Sequence, residues 1–591
     1  MVDYKAPLED YRFLMHELFD CGQMTQSIGH PELDSEFLDM MLEEWSTFIE
    51  EVWLPTNRLG DEVGLEFSNG DVKLAPELID AWKQTTDSGW MAAPCSEEWG
   101  GQELPLFFRT ACDEVAIAGN MALAVIGALN LGVYDLIHSH GAQHLQEEYL
   151  GKLSTGEWCG TMALTEPHCG TDLGILKTKA ESREDGSWSL SGTKIFITGG
   201  EHNLSENIVH MVLARLPGAP EGIKGVSLFC APKFLPDGNG GLGERNGVTC
   251  VSIEKKMGLH SSPTCVLNFD DATGWLVGEP HKGMSLMFEM MNRERLSTGM
   301  MGLGLGEAAY QNALAWAKER RQGRDLRGPK DLKEDADNIL RHPDVRRMLL
   351  RSKVNMEGMR AMGLYVGMQL DLSENGEGEE KEQAKRLVAL LTPIVKAHFS
   401  DVGAETTDEC IQVLGGAGYI RESGVEQYFR DVRIARIWEG TNGIQALDLV
   451  GRKLPMHMAR GMRDLLWPIL EFIEEHRDNP DMAPFTKPLY QGVRGLQQLT
   501  LLLMSEGMAN PYFLAAGATE YTRYFGNVVL AWMWAKIALV CLPKQDESPF
   551  HAAKIASAKV FFERIYPETI SLAAKVQAGH RSLMEYPMEM M

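Results

Sequence analysis

The chain has 591 residues, 44% hydrophobic and 24% charged, so it can bury several cores and is neither a disordered tail nor a fibre; at roughly 150 residues per domain about four domains fit. Its 56 Lys and Arg against 83 Asp and Glu leave a formal charge of −27, which excludes a nucleic acid held by bulk attraction but leaves room for a local basic pocket. Ten scattered cysteines form no CxxC and no zinc-finger spacing, so a reducing compartment fits and no metal is expected.

The opening MVDYKAPLEDYRFLMHELFD carries acidic residues where a secretory leader needs a basic start and a long apolar run, so the expected location is cytoplasmic. From about residue 35 apolar residues recur at helical spacing, as in LDMMLEEWSTFIEEVW, predicting a helical N-terminal domain with an extension over 1–160. Residues 161–285 switch to short alternating runs punctuated by glycine (SWSLSGTKIFITGG, NIVHMVLARL, TCVLNFDDATGWLVG), which predict antiparallel strands. Helical patterns return over 286–455, interrupted by SENGEGEEKEQ, read as a solvated loop between helices. Residues 456–591 predict an accessory helical domain. Its apolar faces require a partner surface and imply a part in assembly and substrate enclosure, with no catalytic group; the alternative is a tethered bundle that does not pack on the rest. The most apolar stretch, Asn527 to Leu542, is shorter than the roughly 20 residues a bilayer requires and reads as a buried helix, so no transmembrane segment is expected.

The expected fold class is therefore mainly α with a middle antiparallel β domain. That order disfavours a Rossmann protein, which interleaves strands and helices. Residues 238–243 spell GxGxxG, but the strand-like VTCVSI follows where a helix would be needed to aim amides at a pyrophosphate. His138, His140 and His144 read as a polar turn opening a helix rather than a metal site.

Two segments carry chemistry. In Leu164-Thr165-Glu166-Pro167 and the following Gly170-Thr171-Asp172, a strand end and turn present hydroxyls and amides to a polar ring edge or a phosphate; an ordinary Asx-type turn explains the same residues. In Gln412-Val-Leu-Gly415-Gly416 and Arg436-Ile-Trp438-Glu439-Gly440-Thr441, glycines admit close backbone approach. Glu439 reads either as a helix-capping Glu in a Gly-rich turn or as a carboxylate in apolar surroundings suited to general-base work.

Together with GTKIFITGG, KMGLHSSPTCVLNFDD and the Arg295 helix, these motifs occur in an order that resembles the acyl-CoA dehydrogenase family over roughly residues 35–455. The resemblance implies a helical domain, a β-barrel-like domain and a four-helix bundle, followed here by a C-terminal helical extension. It implies FAD as cofactor, an acyl-CoA substrate, electron-transferring flavoprotein as acceptor and at least a homodimer. Leu164 and Thr165 resemble the edge that meets the flavin pyrimidine, Thr171 the hydroxyl near flavin phosphate and thioester, and Phe196 and Thr198 the aromatic and Thr that contact FAD. Arg320 matches the Arg that grips the pyrophosphate across a subunit boundary, although Gln322-Gly323-Arg324 replace the aromatic and Gly that usually follow. Gln412, Gly415 and Gly416 resemble adenosine-side contacts to a neighbouring subunit, and Thr441 a residue near FAD.

The chemistry implied is α,β-dehydrogenation to trans-2-enoyl-CoA. Glu439 would take the α proton, and its backbone N–H with a ribityl hydroxyl would stabilise the enolate-like oxygen. Glu294 occupies the alternative base position used by a minority of the family, isovaleryl-CoA dehydrogenases among them; Arg295 then positions base and substrate. Met287, Met290 and Met291 are candidates to line an adaptable acyl pocket. The expected substrate is a medium- to long-chain fatty acyl-CoA, with 3-methylthiopropionyl-CoA oxidation, an acyl-CoA oxidase reaction or a non-catalytic scaffold as alternatives.

Overall fold

The computed structural model describes residues 3–591, without the side chains of residues 288–290, so Met290 lies outside the described residues. The chain divides into two compact units, one of residues 47–105 and 119–297, the other of residues 1–46, 106–118 and 298–591.

The first unit is built on a seven-stranded sheet: β1 (Trp158–Ala163), β2 (Lys179–Ser182), β3 (Trp188–Thr198), β4 (Asn207–Arg215), β5 (Val226–Pro232), β6 (Val248–Ile253) and β7 (Thr264–Val277). The path β6-β7-β3-β2-β4-β1 closes on itself because β5 pairs with both β4 and β7, which gives the β-barrel-like form and leaves few open edges. Most pairs are antiparallel, but β1 runs parallel to β4, as does the short contact of β2 with β4. The long connection 164–206 supplies the crossover that parallel pairing needs. Leu190, Ile197, Val212, Phe229, Leu267 and Phe269 fill the interior. The near-continuous apolar runs of β1, β4 and β5 are buried on both faces, as strands covered on two sides must be. The GxGxxG string is the turn of a hairpin between Phe234–Pro236 and Leu242–Arg245, where Asp237 accepts the amides of Asn239 and Gly241. His138 and His140 end the helix α1 (Leu106–His140), and only His144 belongs to the next helix, so the polar turn lies between them.

The second unit is helical. It contains the C-terminal part of α2 (Gly283–Glu319), then α3 (Pro343–Asn375), α4 (Gly378–Leu414), the short α5 (Asn442–Asp448), and the tail helices α6 (Arg460–Glu475), α7 (Ala483–Ala509), α8 (Pro511–Cys541), α9 (Pro549–Val560) and α10 (Glu568–Ala578). The expected loop SENGEGEEKEQ shrinks to Gly376 and Glu377. Its acidic run instead forms the first turns of α4, where Glu379 and Glu380 complement the positive end of the helix dipole.

The stretch Asn527–Cys541 is part of a 31-residue helix capped by Asn510, because the more polar residues before it continue the same turns, and Leu542 follows as its C-cap. Segments 106–140, 378–419 and 511–544 are each long and apolar enough to cross a bilayer, but 89%, 89% and 78% of their most apolar windows are buried inside the protein.

The tail packs on the bundle. Gly358 of α3 lets Trp534 approach. Arg523 pairs with Glu405, and Arg386 with Asp464. Lys554 pairs with Asp10 and Glu357. A tethered, unpacked bundle is thereby excluded.

Candidate active site

In the β unit, Leu164 and Thr165 leave β1 with their carbonyls already engaged: Lys194 Nζ donates to Leu164 O (3.0 Å) and the Ile195 amide to Thr165 O (2.9 Å). The anchor is Glu166. It is buried and accepts from Lys194 Nζ (2.9 Å), the Thr178 hydroxyl (2.6 Å) and the amides of Lys177 (2.7 Å) and Thr178 (3.0 Å). Burial alone would raise its pKa, but Lys194 and these donors prevail and hold it down to about 2; burial pushes Lys194 down against the pull of Glu166. Thr171 is exposed in the following turn, where Asp172 accepts the Gly174 amide (3.0 Å), so the Asx-type turn is present beside the proposed ligand contacts.

Phe196 stands in a left-handed conformation (φ 58°) inside β3. Lys194 pairs with Leu267 and Ile197 with Cys265, so Ile195 and Phe196 together face the single residue Val266. This bulge turns the ring outward, 59% exposed, and returns Ile197 to the core and Thr198 to its place opposite Thr264. An aromatic held outward on strained backbone suits a flat ligand ring. On the portion of α2 in this unit, Glu294 and Arg295 are both buried, as is Met287, and Arg293 pairs with Asp135 at 2.5 Å.

In the helical unit, Glu439 also adopts a left-handed conformation (φ 55°), followed by Gly440 at φ 82°. The cap of α5 is Thr441, whose Oγ1 accepts the Ile444 amide (3.3 Å); Glu439 is therefore not the capping residue. Buried Lys396 of α4 donates to Gly440 O (2.8 Å) and Asn442 Oδ1 (2.9 Å), while buried Gln445 donates to Glu439 O (2.9 Å). A Cβ on Gly440 would lie 2.7 Å from Gln445 Nε2, so only glycine fits that grip. Asn442 in turn donates to Ser400 Oγ (3.0 Å) and Ala397 O (3.2 Å). The turn is thus fixed by groups on α4 and α5 while Glu439 remains partly exposed.

Gln412 in the last turn of the same α4, about 24 Å along the helix from Lys396 at 1.5 Å per residue, and Gly415 and Gly416 just beyond its end all lie exposed. Gly415 has φ 61°, and a Cβ on either glycine would meet nothing within 4 Å. That distance separates them from the Glu439 turn of their own chain. Arg320, just past α2, is exposed, lies over Trp316 at 5.7 Å and, among the described residues, has no carboxylate partner. Arg324 differs: it is spent on Asp331 O (3.1 Å) and Glu334 O (2.6 Å) in a loop organised by buried Asp337, which accepts the amides of Asp325, Lys330 and Asp331.

The roles of Lys194, Lys396 and Gln445 escaped the motif reading. For the two lysines the signal is a lysine beside or inside an apolar run, KIFIT or LLTPIVKAHF, which must find a buried partner; Gln445 carries no such signal.

Four family models match in sequence: the acyl-CoA dehydrogenase N-terminal domain over residues 35–157, the middle domain over 161–272, the C-terminal domain over 281–454, and an acetyl-CoA dehydrogenase C-terminal-like domain over 465–587. A 3-methylmercaptopropionyl-CoA dehydrogenase of Ruegeria pomeroyi is 38% identical over 586 residues, covering 98% of this chain and 99% of the relative. The chain belongs to the acyl-CoA dehydrogenase family. A broad-specificity linear acyl-CoA dehydrogenase of Mycobacterium tuberculosis is 31% identical, covering 99% of both chains. The fold matches that of an acyl-CoA dehydrogenase complexed with FAD from Bacillus anthracis, with a TM-score of 0.76 at 22% identity, covering 93% of this chain and 89% of that one.

The protein is an FAD-dependent oxidoreductase acting on CH–CH bonds of acyl-CoA. On the β unit, the outward aromatic at Phe196 and the hydroxyls at Thr165 and Thr198 are groups that fit such a cofactor; on the helical unit, so are the exposed guanidinium at Arg320 and the open backbone at Gly415 and Gly416.

Proposed function

We propose that the enzyme oxidises a short thioether acyl-CoA of the 3-methylthiopropionyl type to its trans-2-enoyl thioester, in preference to the medium- to long-chain fatty acyl-CoA first expected from sequence. The observation that carries this is the 38% identity to the Ruegeria enzyme along nearly the whole of both chains, against 31% and 30% for relatives named for linear acyl-CoA and butyryl-CoA.

Glu439 is the base that removes the α proton; its turn is held on the main-chain side by Lys396 and Gln445, and the residue is partly exposed. Bound FAD supplies the hydride acceptor for the β hydrogen. Buried Arg295 positions the substrate, and Leu164, Thr165, Thr171, Phe196 and Thr198 bind cofactor and thioester on the β unit. Gln412, Gly415 and Gly416 serve a second copy of the chain in at least a homodimer. Electron-transferring flavoprotein takes the electrons, and the enzyme works in the cytoplasm.

The test is anaerobic flavin bleaching with a panel of thioesters: 3-methylthiopropionyl-, butyryl-, octanoyl- and palmitoyl-CoA. The expected result is the highest kcat/KM for 3-methylthiopropionyl-CoA, above butyryl-CoA. A maximum at octanoyl- or palmitoyl-CoA sinks the substrate assignment, and stoichiometric peroxide in air makes the protein an oxidase.

A further inference from the structure

Behind the Glu439 turn, α4, α5 and α8 line a small, partly open cavity of about 10 Å³ for the centre of a water-sized sphere, with His398, Asp401, Asn442, Thr519, Thr522 and Arg523 among its walls. That is room for about one water, which needs two to four polar partners. His398 is buried, and among the described residues neither ring nitrogen meets a hydrogen-bond partner. A neutral imidazole carries one donor and one acceptor, and leaving both unmet in the interior is costly. Burial pushes the ring's pKa down to about 3, with Arg523 acting in the same direction and Glu405 against it, so the ring is neutral.

The surroundings connect this histidine to the catalytic turn. Asn442, which lines the cavity with His398, is held by Lys396 Nζ, Ser400 Oγ and Ala397 O of α4. Asp401, also on the cavity wall, pairs with Arg436 at 2.5 Å, three residues before Glu439. From the tail, Thr522 donates to Ala518 O (2.8 Å) and keeps its oxygen as an acceptor. α8 approaches so closely that a Cβ on Gly526 would lie 2.5 Å from His398 Nδ1.

We propose that His398 is a positioning residue for Glu439: with Thr522 and Asp401 it binds one internal water that joins tail helix α8 to the segments flanking the base. The accessory tail thereby helps set the geometry of a turn to which it contributes no reacting group. The proposal rests on Glu439 as base.

The experiment uses the full-length, FAD-loaded enzyme and the best thioester of the panel. His398→Phe retains ring bulk and removes both nitrogens, His398→Gln restores a donor and an acceptor, and Gly526→Ala presses on the ring from the tail. His398→Phe is expected to lower kcat about tenfold with KM changed less than about twofold, since small misplacements of a reacting group act on the chemical step. The α-deuterium isotope effect on flavin reduction should rise and amide exchange over residues 438–445 should quicken, at native FAD content and Tm. His398→Gln should recover most of the loss, and Gly526→Ala should follow His398→Phe; if the latter does not accumulate, Gly526→Ala decides by the same readouts.

Unchanged kcat and exchange in His398→Phe overturn the proposal, as does a loss that tracks FAD content or Tm and is not recovered by Gln. Glu439→Gln is the control. If that variant stays active, the base assignment falls and the catalytic meaning of His398 with it; if it is dead while His398→Phe is unimpaired, only the present inference falls.

Discussion

A left-handed backbone at a non-glycine residue costs roughly 1–3 kcal/mol, and it persists where surrounding structure over-determines it. Phe196 and Glu439 both carry it, and both are residues that the sequence motifs single out. At Glu439 the determinants are visible: Lys396, Gln445, Asn442 and the Thr441 cap hold the main chain of the turn. Glu439→Gln preserves size and backbone but removes the proton acceptor, so kcat should fall on the order of 100-fold or more with FAD binding retained. Glu294→Gln should keep substantial activity. Stopped-flow flavin reduction checks both; a dead Glu294→Gln beside an active Glu439→Gln reverses the assignment. At this scale the reacting candidates were legible because they lie in contiguous motifs. Their supports were not, since Lys396 is 43 residues before Glu439 and reaches it only through the fold.

The link between β1 and β3 rests on the buried pair Glu166–Lys194, which also fixes the exit of Leu164 and Thr165. Removing one partner of a buried pair strands the other charge and typically costs about 3–5 kcal/mol, whereas replacing both with apolar groups is often neutral. Glu166→Gln should therefore lower Tm and FAD retention, and Glu166→Leu with Lys194→Met should recover much of the stability. The pH dependence has a definite sign: because the folded pKa of about 2 lies below the ordinary 4.5, the pair's contribution is full above about pH 4.5 and lost as pH falls toward 2. Acid unfolding followed by flavin fluorescence should show native protein losing stability across that window and the double variant losing less. If the two profiles coincide, the pair does not govern acid sensitivity. Element types were readable from periodicity, because strands and helices place apolar residues at different intervals. The parallel pairing of β1 with β4 was not, since adjacency across a 43-residue connection leaves no local trace, and the acidic run that opens α4 looked like a loop because helix N-termini favour the same residues as solvated turns.

At the scale of the whole helical unit, the tail and the N-terminal segment meet on one buried charge network. Arg360 bonds Asp10 (2.5 Å), Glu114 (2.5 Å) and Glu307 (3.0 Å), while Lys554 from the tail reaches Asp10 and Glu357. Burial disfavours both the Asp10 and the Lys554 charge, yet Lys554 and Arg360 together hold the Asp10 carboxyl below its ordinary value, and Asp10 and Glu357 raise the Lys554 ammonium. Cutting the chain near Lys453 removes Lys554 from this network and Arg523 from Glu405, and it uncovers the faces against which Trp534 and Phe561 are buried. Apolar surface of that extent does not remain solvated, so the truncated protein should be insoluble or aggregate. A milder full-length probe separates charge from area: Lys554→Met keeps the tail but leaves Asp10 to share Arg360 with Glu114 and Glu307, and should cost up to about 3–5 kcal/mol by denaturant unfolding, with Asp10→Asn recovering part of it. Should the truncated chain instead stay soluble, FAD-loaded and fully active across the thioester panel, the tail is an appendage, and neither its packing nor its water-linked contact behind Glu439 matters to catalysis.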